Sequence, residues 1–107
     1  MKNNFILLSN STGGIRTFEE ILIKYILKNN YTCKIITNNY KNIIKKNINF
    51  KLYKNNNLTN IFKTISILKK IKNNKDRFIF IFSNQIIFII YFFYIKIFFN
   101  KKKIYLF

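Results

Sequence analysis

The sequence predicts an α/β protein built on a parallel sheet, and three observations carry that prediction. Short apolar runs alternate with segments of helical period along the whole chain. The breaks between them are rich in Asn, and proline is absent. The two glycines, Gly13 and Gly14, stand side by side between the first apolar run and the first helical segment. Strands alternating with helices at this spacing imply βαβ units and right-handed crossovers. At 107 residues the chain is the size of one small domain with a single core.

Each element has its own signal. "NFILL" is a short apolar run ended by the polar turn "SNSTGG", a buried strand entering a loop. From Phe18 onward, Phe18, Ile21, Leu22, Tyr25 and Ile26 follow the i, i+3, i+4, i+7, i+8 spacing of one helical face. Thr17 and Glu20 match a capping box at the start of that helix. Glu19 and Glu20 are read as charges that steady its positive end. "YTCKIIT" is rich in β-branched residues and reads as the second strand, and the alternating "INFKLY" as the third. "LTNIFKTISILKKIKNN" sets Leu58, Ile61, Phe62, Ile65, Leu68 and Ile71 on one face of a second helix. "RFIFIFS" is a fourth strand, "NQIIFIIYFFYIKIFF" a third helix and "KKIYLF" a fifth strand.

Residues 78–95 admit a second reading, because they are uncharged and about long enough to cross a membrane. That reading makes the chain a small membrane protein anchored by residues 78–99. Ser83, Asn84 and Gln85 interrupt the run near its middle and Lys96 closes it, so a strand, a loop and a buried helix explain the pattern better.

Charge and chemistry narrow the function. The formal net charge is +17, nearly all of it from lysines scattered between asparagines, with arginine only at Arg16 and Arg77. Ile, Asn, Lys and Phe dominate, a palette whose codons are rich in A and T, so the lysines read as codon bias on a solvated surface. No helix-turn-helix, zinc-finger or ribonucleoprotein signature is present, and nucleic acid is not expected as a partner. One cysteine and no histidine exclude a disulfide and the usual metal sites, and no cofactor is expected. Cys33 lies in an apolar run and reads as a buried structural thiol. The start of the chain carries too few apolar residues for a secretion signal, and a cytoplasmic protein is expected.

A glycine pair directly after a parallel strand lets the backbone turn sharply and approach a ligand, while the following helix offers free N–H groups to an anion. "STGGIR" adds hydroxyls at Ser11 and Thr12 and the guanidinium of Arg16. It is neither the dinucleotide fingerprint nor a Walker loop. The residues by themselves fit a tight turn with no ligand equally well.

The order of elements adds a resemblance. The first strand followed by "GGIRTFEEILIKYILKNNYTCKIIT" resembles the opening of the family 4 glycosyltransferases of the GT-B fold. "ISILKKIKNNKDRFIFIFSNQ" is similar to that family's helix, basic linker and fourth strand, and "KKIYLF" to the next strand. The resemblance implies a Rossmann-like parallel sheet with helices on both faces, with residues 1–107 as a partial N-terminal, acceptor-side domain and the donor domain missing. It implies sugar transfer from a nucleotide-sugar donor to a glycan or lipid-linked acceptor in cell-surface polysaccharide synthesis, with no turnover by these residues alone. It places Gly13, Gly14 and Arg16 at the donor diphosphate, and Ser11, Thr12, Ser83 and Asn84 on the acceptor side of the cleft. Where many members carry a histidine near the end of the fourth strand, this chain has Phe82 and Ser83, and no catalytic residue is assigned. Another Rossmann-like binding domain is the alternative within the fold. A peripheral contact between the lysines and anionic lipid at the inner face of a membrane is compatible with the glycosyltransferase reading.

Overall fold

The computed structural model describes residues 3–9, 13–37, 49–54, 61–82 and 85–106. Every expected strand is present: β1 (Asn3–Ser9), β2 (Thr32–Thr37), β3 (Phe50–Lys54), β4 (Arg77–Phe82) and β5 (Lys102–Leu106). Three helices, α1 (Gly13–Lys28), α2 (Ile61–Ile71) and α3 (Gln85–Phe98), complete the described elements. All neighbouring strands pair in parallel, in the order β3-β2-β1-β4-β5. The chain is thus an α/β protein with a Rossmann-like five-stranded sheet.

The helices divide between the faces for a topological reason. β1 to β2 steps one way across the sheet, while β3 to β4 and β4 to β5 step the other way. Crossovers of one hand must then place α1 on one face and α2 with α3 on the opposite one. The packing agrees. Ile6, Leu8, Ile36, Phe78, Phe80 and Phe82 form one core with Ile67, Leu68, Tyr91, Ile95 and Phe99, and Leu7, Cys33, Ile35 and Ile81 form the other with Ile23 and Ile26. Alternation along each strand produces this division, since successive side chains point to opposite faces.

Of residues 78–99, read alternatively as a membrane anchor, 78–82 belong to β4 and 85–98 to α3. Among the described residues no helix is long and apolar enough to cross a membrane.

Three sequence expectations about the helices need correction. α1 begins at Gly13, so Thr17 and Glu20 lie inside it, no acidic residue occupies its first turn, and the capping box is not formed. Its buried stripe is Glu19, Ile23 and Ile26, while Phe18, Ile21 and Tyr25 are exposed. In α2 the buried stripe is Thr64, Ile67, Leu68 and Ile71, and Phe62 is 88% exposed. Apolar residues surround both helices, so several faces satisfy the helical period, and the fit to the sheet selects among them. Leu58 lies outside the described residues.

The end of α1 shows how the chain manages without glycine there. Asn30 adopts a left-handed conformation with φ of 62°. The Tyr31 N–H donates to the Ile26 carbonyl at 3.2 Å and the Asn30 N–H to the Leu27 carbonyl at 3.1 Å. This pairing closes the helix as a Schellman motif, with Asn in the position glycine usually takes.

Where the strands begin, a polar clasp holds β1, β2 and β4 in register. The buried Asn4 amide donates to Asp76 at 3.0 Å, and the Thr32 hydroxyl donates to the Asn4 side-chain oxygen. Asn73 accepts from the Lys75 and Asp76 N–H groups at 3.0 and 2.8 Å, which shapes the turn presenting Asp76.

Candidate functional site at the carboxyl end of the sheet

In open parallel sheets, ligands bind beyond the carboxyl ends of the strands where the strand order reverses. Here that point lies between β1 and β4, which run side by side with Leu8 opposite Phe82. Helix α1 starts soon after Ser9 and α3 soon after Phe82, so both helices begin at the same edge of the sheet and on opposite faces. The first N–H groups of a helix lack partners inside it and carry the positive end of its dipole.

Gly13 and Gly14 are the first two residues of α1, and Arg16 follows within its first turn. Glycine has no Cβ, and such a residue permits close approach of the backbone to a ligand. Ser11, Thr12, Ser83 and Asn84 lie outside the described residues. The topology therefore brings the glycine pair to the edge at which β4 ends.

Beneath this edge the structure holds a polar pair that the sequence reading did not join, since it gave Glu19 to the helix start. Ser9, the last residue of β1, donates its hydroxyl to Glu19 Oε1 at 2.8 Å, and Glu19 is only 1% exposed. Thr37, the last residue of β2, pairs with Ser9 in the ladder and is buried on the same face. A hydrogen bond to a carboxylate is stronger than a neutral one and fixes direction as well as distance. It ties the second turn of α1 to the end of the central strand and so sets where the helix start sits above the sheet. Two signals in the sequence mark the group. Ser9 and Thr37 share the strand parity of Leu7 and Ile35, and Glu19 precedes Ile23 and Ile26 by four and seven residues on one helical stripe.

Cys33 faces the same layer. Burial pushes its thiol up to about 12, against a downward pull from Lys34, and Glu19 adds a smaller rise. A thiol so far from ionisation is a poor nucleophile, and Cys33 acts as a small apolar core residue. Among the described residues no cluster of His, Cys, Asp or Glu could hold a metal ion.

The chain is thereby defined at the level of class, as a Rossmann-like α/β domain whose glycine-led helix opens at the switch point of the sheet. No family model, no curated protein and no solved structure matches it.

Proposed function

We propose that the chain is the acceptor-side domain of a glycosyltransferase that takes its sugar from a nucleotide-sugar. The glycine-led start of α1 faces the diphosphate of the donor, with Arg16 as the neighbouring cation. The residues following β4, Ser83 and Asn84, together with Ser11 and Thr12, border a glycan or lipid-linked acceptor. The reaction belongs to cell-surface polysaccharide synthesis on the cytoplasmic side of a membrane. Backbone N–H groups aimed at the leaving diphosphate stabilise its growing charge without reorganising during the reaction. One observation above all supports this reading: α1 opens on Gly13 and Gly14 directly beyond the central strand, at the edge where the strand order reverses. The ordered resemblance of the elements supplies the identity of the ligand. Because such transfer needs a second domain to hold the donor nucleotide, these 107 residues bind without turning over.

The chain carries its own reporter for the test. With two glycines in the sequence, the glycine region of an amide correlation spectrum holds two signals. Adding a nucleoside diphosphate is expected to move both, and Arg16→Ala to weaken the response several-fold, whereas inorganic phosphate moves them less. Glycine signals that stay fixed with every nucleoside diphosphate and nucleotide-sugar overturn the reading, as does sugar transfer by the 107 residues alone.

A further inference from the structure

Helix α3 is apolar apart from Gln85 and Lys96, a pattern close to that of a helix covered on every side. Among the described residues one stripe is left uncovered. Tyr91 and Ile95 pack on the sheet, while Ile89, Phe93 and Ile97, at i, i+4 and i+8, are 66%, 66% and 71% exposed. They make an apolar stripe about 12 Å long on the outer surface.

The charges around the stripe have one sign. Lys96 is exposed on the same side of α3, with its ammonium 5.7 Å from the centre of the Phe92 ring. The neighbouring helix α2 adds exposed Lys69, Lys70 and Phe62, and Lys72 just beyond it reaches over the Phe98 ring at 5.6 Å. The sequence contains three acidic residues. Glu19 and Glu20 are on α1, across the sheet, and Asp76 lies where the strands begin, bonded to Asn4. The outer face of α2 and α3 therefore carries no carboxylate.

We infer that this face docks on an anionic lipid bilayer, with the α3 stripe entering the interface and the lysines meeting the headgroups. An apolar stripe rimmed by lysines, lying along the surface of the domain, has the composition of an in-plane interfacial helix. Charge selects the occupant. A second copy would bring two lysine-rich faces of a +17 chain together. A nucleic acid would satisfy the lysines and leave Ile89 and Ile97 in water. An anionic bilayer satisfies both, each lysine near its surface strengthening binding about fivefold. The inference does not rest on sugar transfer, and a chain that ignores nucleoside diphosphates still moves to vesicles if it holds.

The chain has no tryptophan, so Phe93→Trp installs a single fluorescent reporter at the stripe. Tyr25→Trp does the same at an exposed position on α1, across the sheet. With vesicles of phosphatidylcholine and phosphatidylglycerol, the Phe93→Trp emission is expected to shift to shorter wavelength and the Tyr25→Trp emission to stay. Phosphatidylcholine alone is expected to shift neither. Lys69→Gln, Lys70→Gln and Lys96→Gln each lower affinity about fivefold, and Phe93→Ser with Ile97→Ser lowers it about tenfold or more. Circular dichroism checks that the exposed substitutions leave the fold intact, and the tryptophan pair tests the face without removing apolar surface. Equal shifts at both reporters overturn the inference. So does vesicle binding that ignores the serine substitutions, a dimer in sedimentation that those substitutions dissolve, or a Phe93→Trp response to RNA with none to vesicles.

Discussion

The two faces of the sheet are packed with different chemistry. Under α2 and α3 the core sets the rings of Phe78, Phe80, Phe82, Tyr91 and Phe99 among isoleucines and leucines, with Phe99 edge-on to both Phe78 and Phe80 at 5.0 and 4.9 Å between ring centres. Tyr91, fully buried there, shares a hydrogen bond with Thr64, which joins the two helices. Under α1 the core is aliphatic, built from Leu7, Ile23, Ile26 and Ile35, and it ends in the Ser9–Glu19 bond. Large rings supply burial and geometric preference without regard to a ligand. A buried carboxylate supplies less net stability but fixes direction. The aromatic face therefore holds the domain together, and the polar end of the aliphatic face aims the helix that starts at Gly13.

The largest effect that tests this contrast is on the aromatic side. Phe80→Ala removes a fully buried ring and is expected to lower the unfolding free energy by about 3–5 kcal/mol in urea titration. That is a large share of the stability of a small domain. Ile23→Ala on the other face is expected to cost less, toward the lower end of about 2–5 kcal/mol. A larger loss from Ile23→Ala than from Phe80→Ala breaks the comparison.

The next effect separates aiming from holding. A double-mutant cycle with Ser9→Ala and Glu19→Ala is expected to give a coupling of about 1.5–3 kcal/mol, the range for a hydrogen bond to a charged group. Ser9→Ala is also expected to shift the two glycine amide signals, because the helix start above them loses its tie. A coupling near zero with unmoved glycine signals returns the Ser9–Glu19 bond to simple packing.

How far the sequence discloses this arrangement differs between strands and helices. All five strands are legible because each is a short apolar run bounded by Asn-rich breaks, and "RFIFIF" is recognisable even beside a long apolar helix. Helix faces are not, because apolar residues occur all around α1 and α2. Phe18, Ile21 and Tyr25 match the helical period as well as Ile23 and Ile26 do, yet face outward. The start of α1 is misread for a related reason: Thr17 and Glu20 have the capping-box spacing, but the helix is already formed at Gly13. The glycine pair is legible as a turn beyond the first strand, and in the structure it opens α1 itself. The Ser9–Glu19 pair is marked only by strand parity and helical stripe, and it is easily passed over because a serine closing a strand and a glutamate early in a helix both have ordinary local explanations.

The smallest effect lies at Cys33, on the α1 face, and its sign follows from burial. The thiol rises from an ordinary value near 9 to about 12, chiefly through burial, with Glu19 adding to the rise and Lys34 opposing it. Folding therefore favours the protonated thiol. The stability this represents is complete below the pKa of the unfolded chain and is lost as pH climbs toward the folded value. Between about pH 9 and pH 10, the chain is expected to lose roughly 1 kcal/mol more unfolding free energy than Cys33→Ala does over the same interval. Other alkaline groups, including the buried Tyr91, titrate in both proteins and cancel from the difference. Identical pH slopes in the two proteins mean that water reaches the thiol in the folded chain. Because Cys33 packs beside the stripe that carries Glu19, water there also weakens the dry setting in which the Ser9–Glu19 bond aims α1.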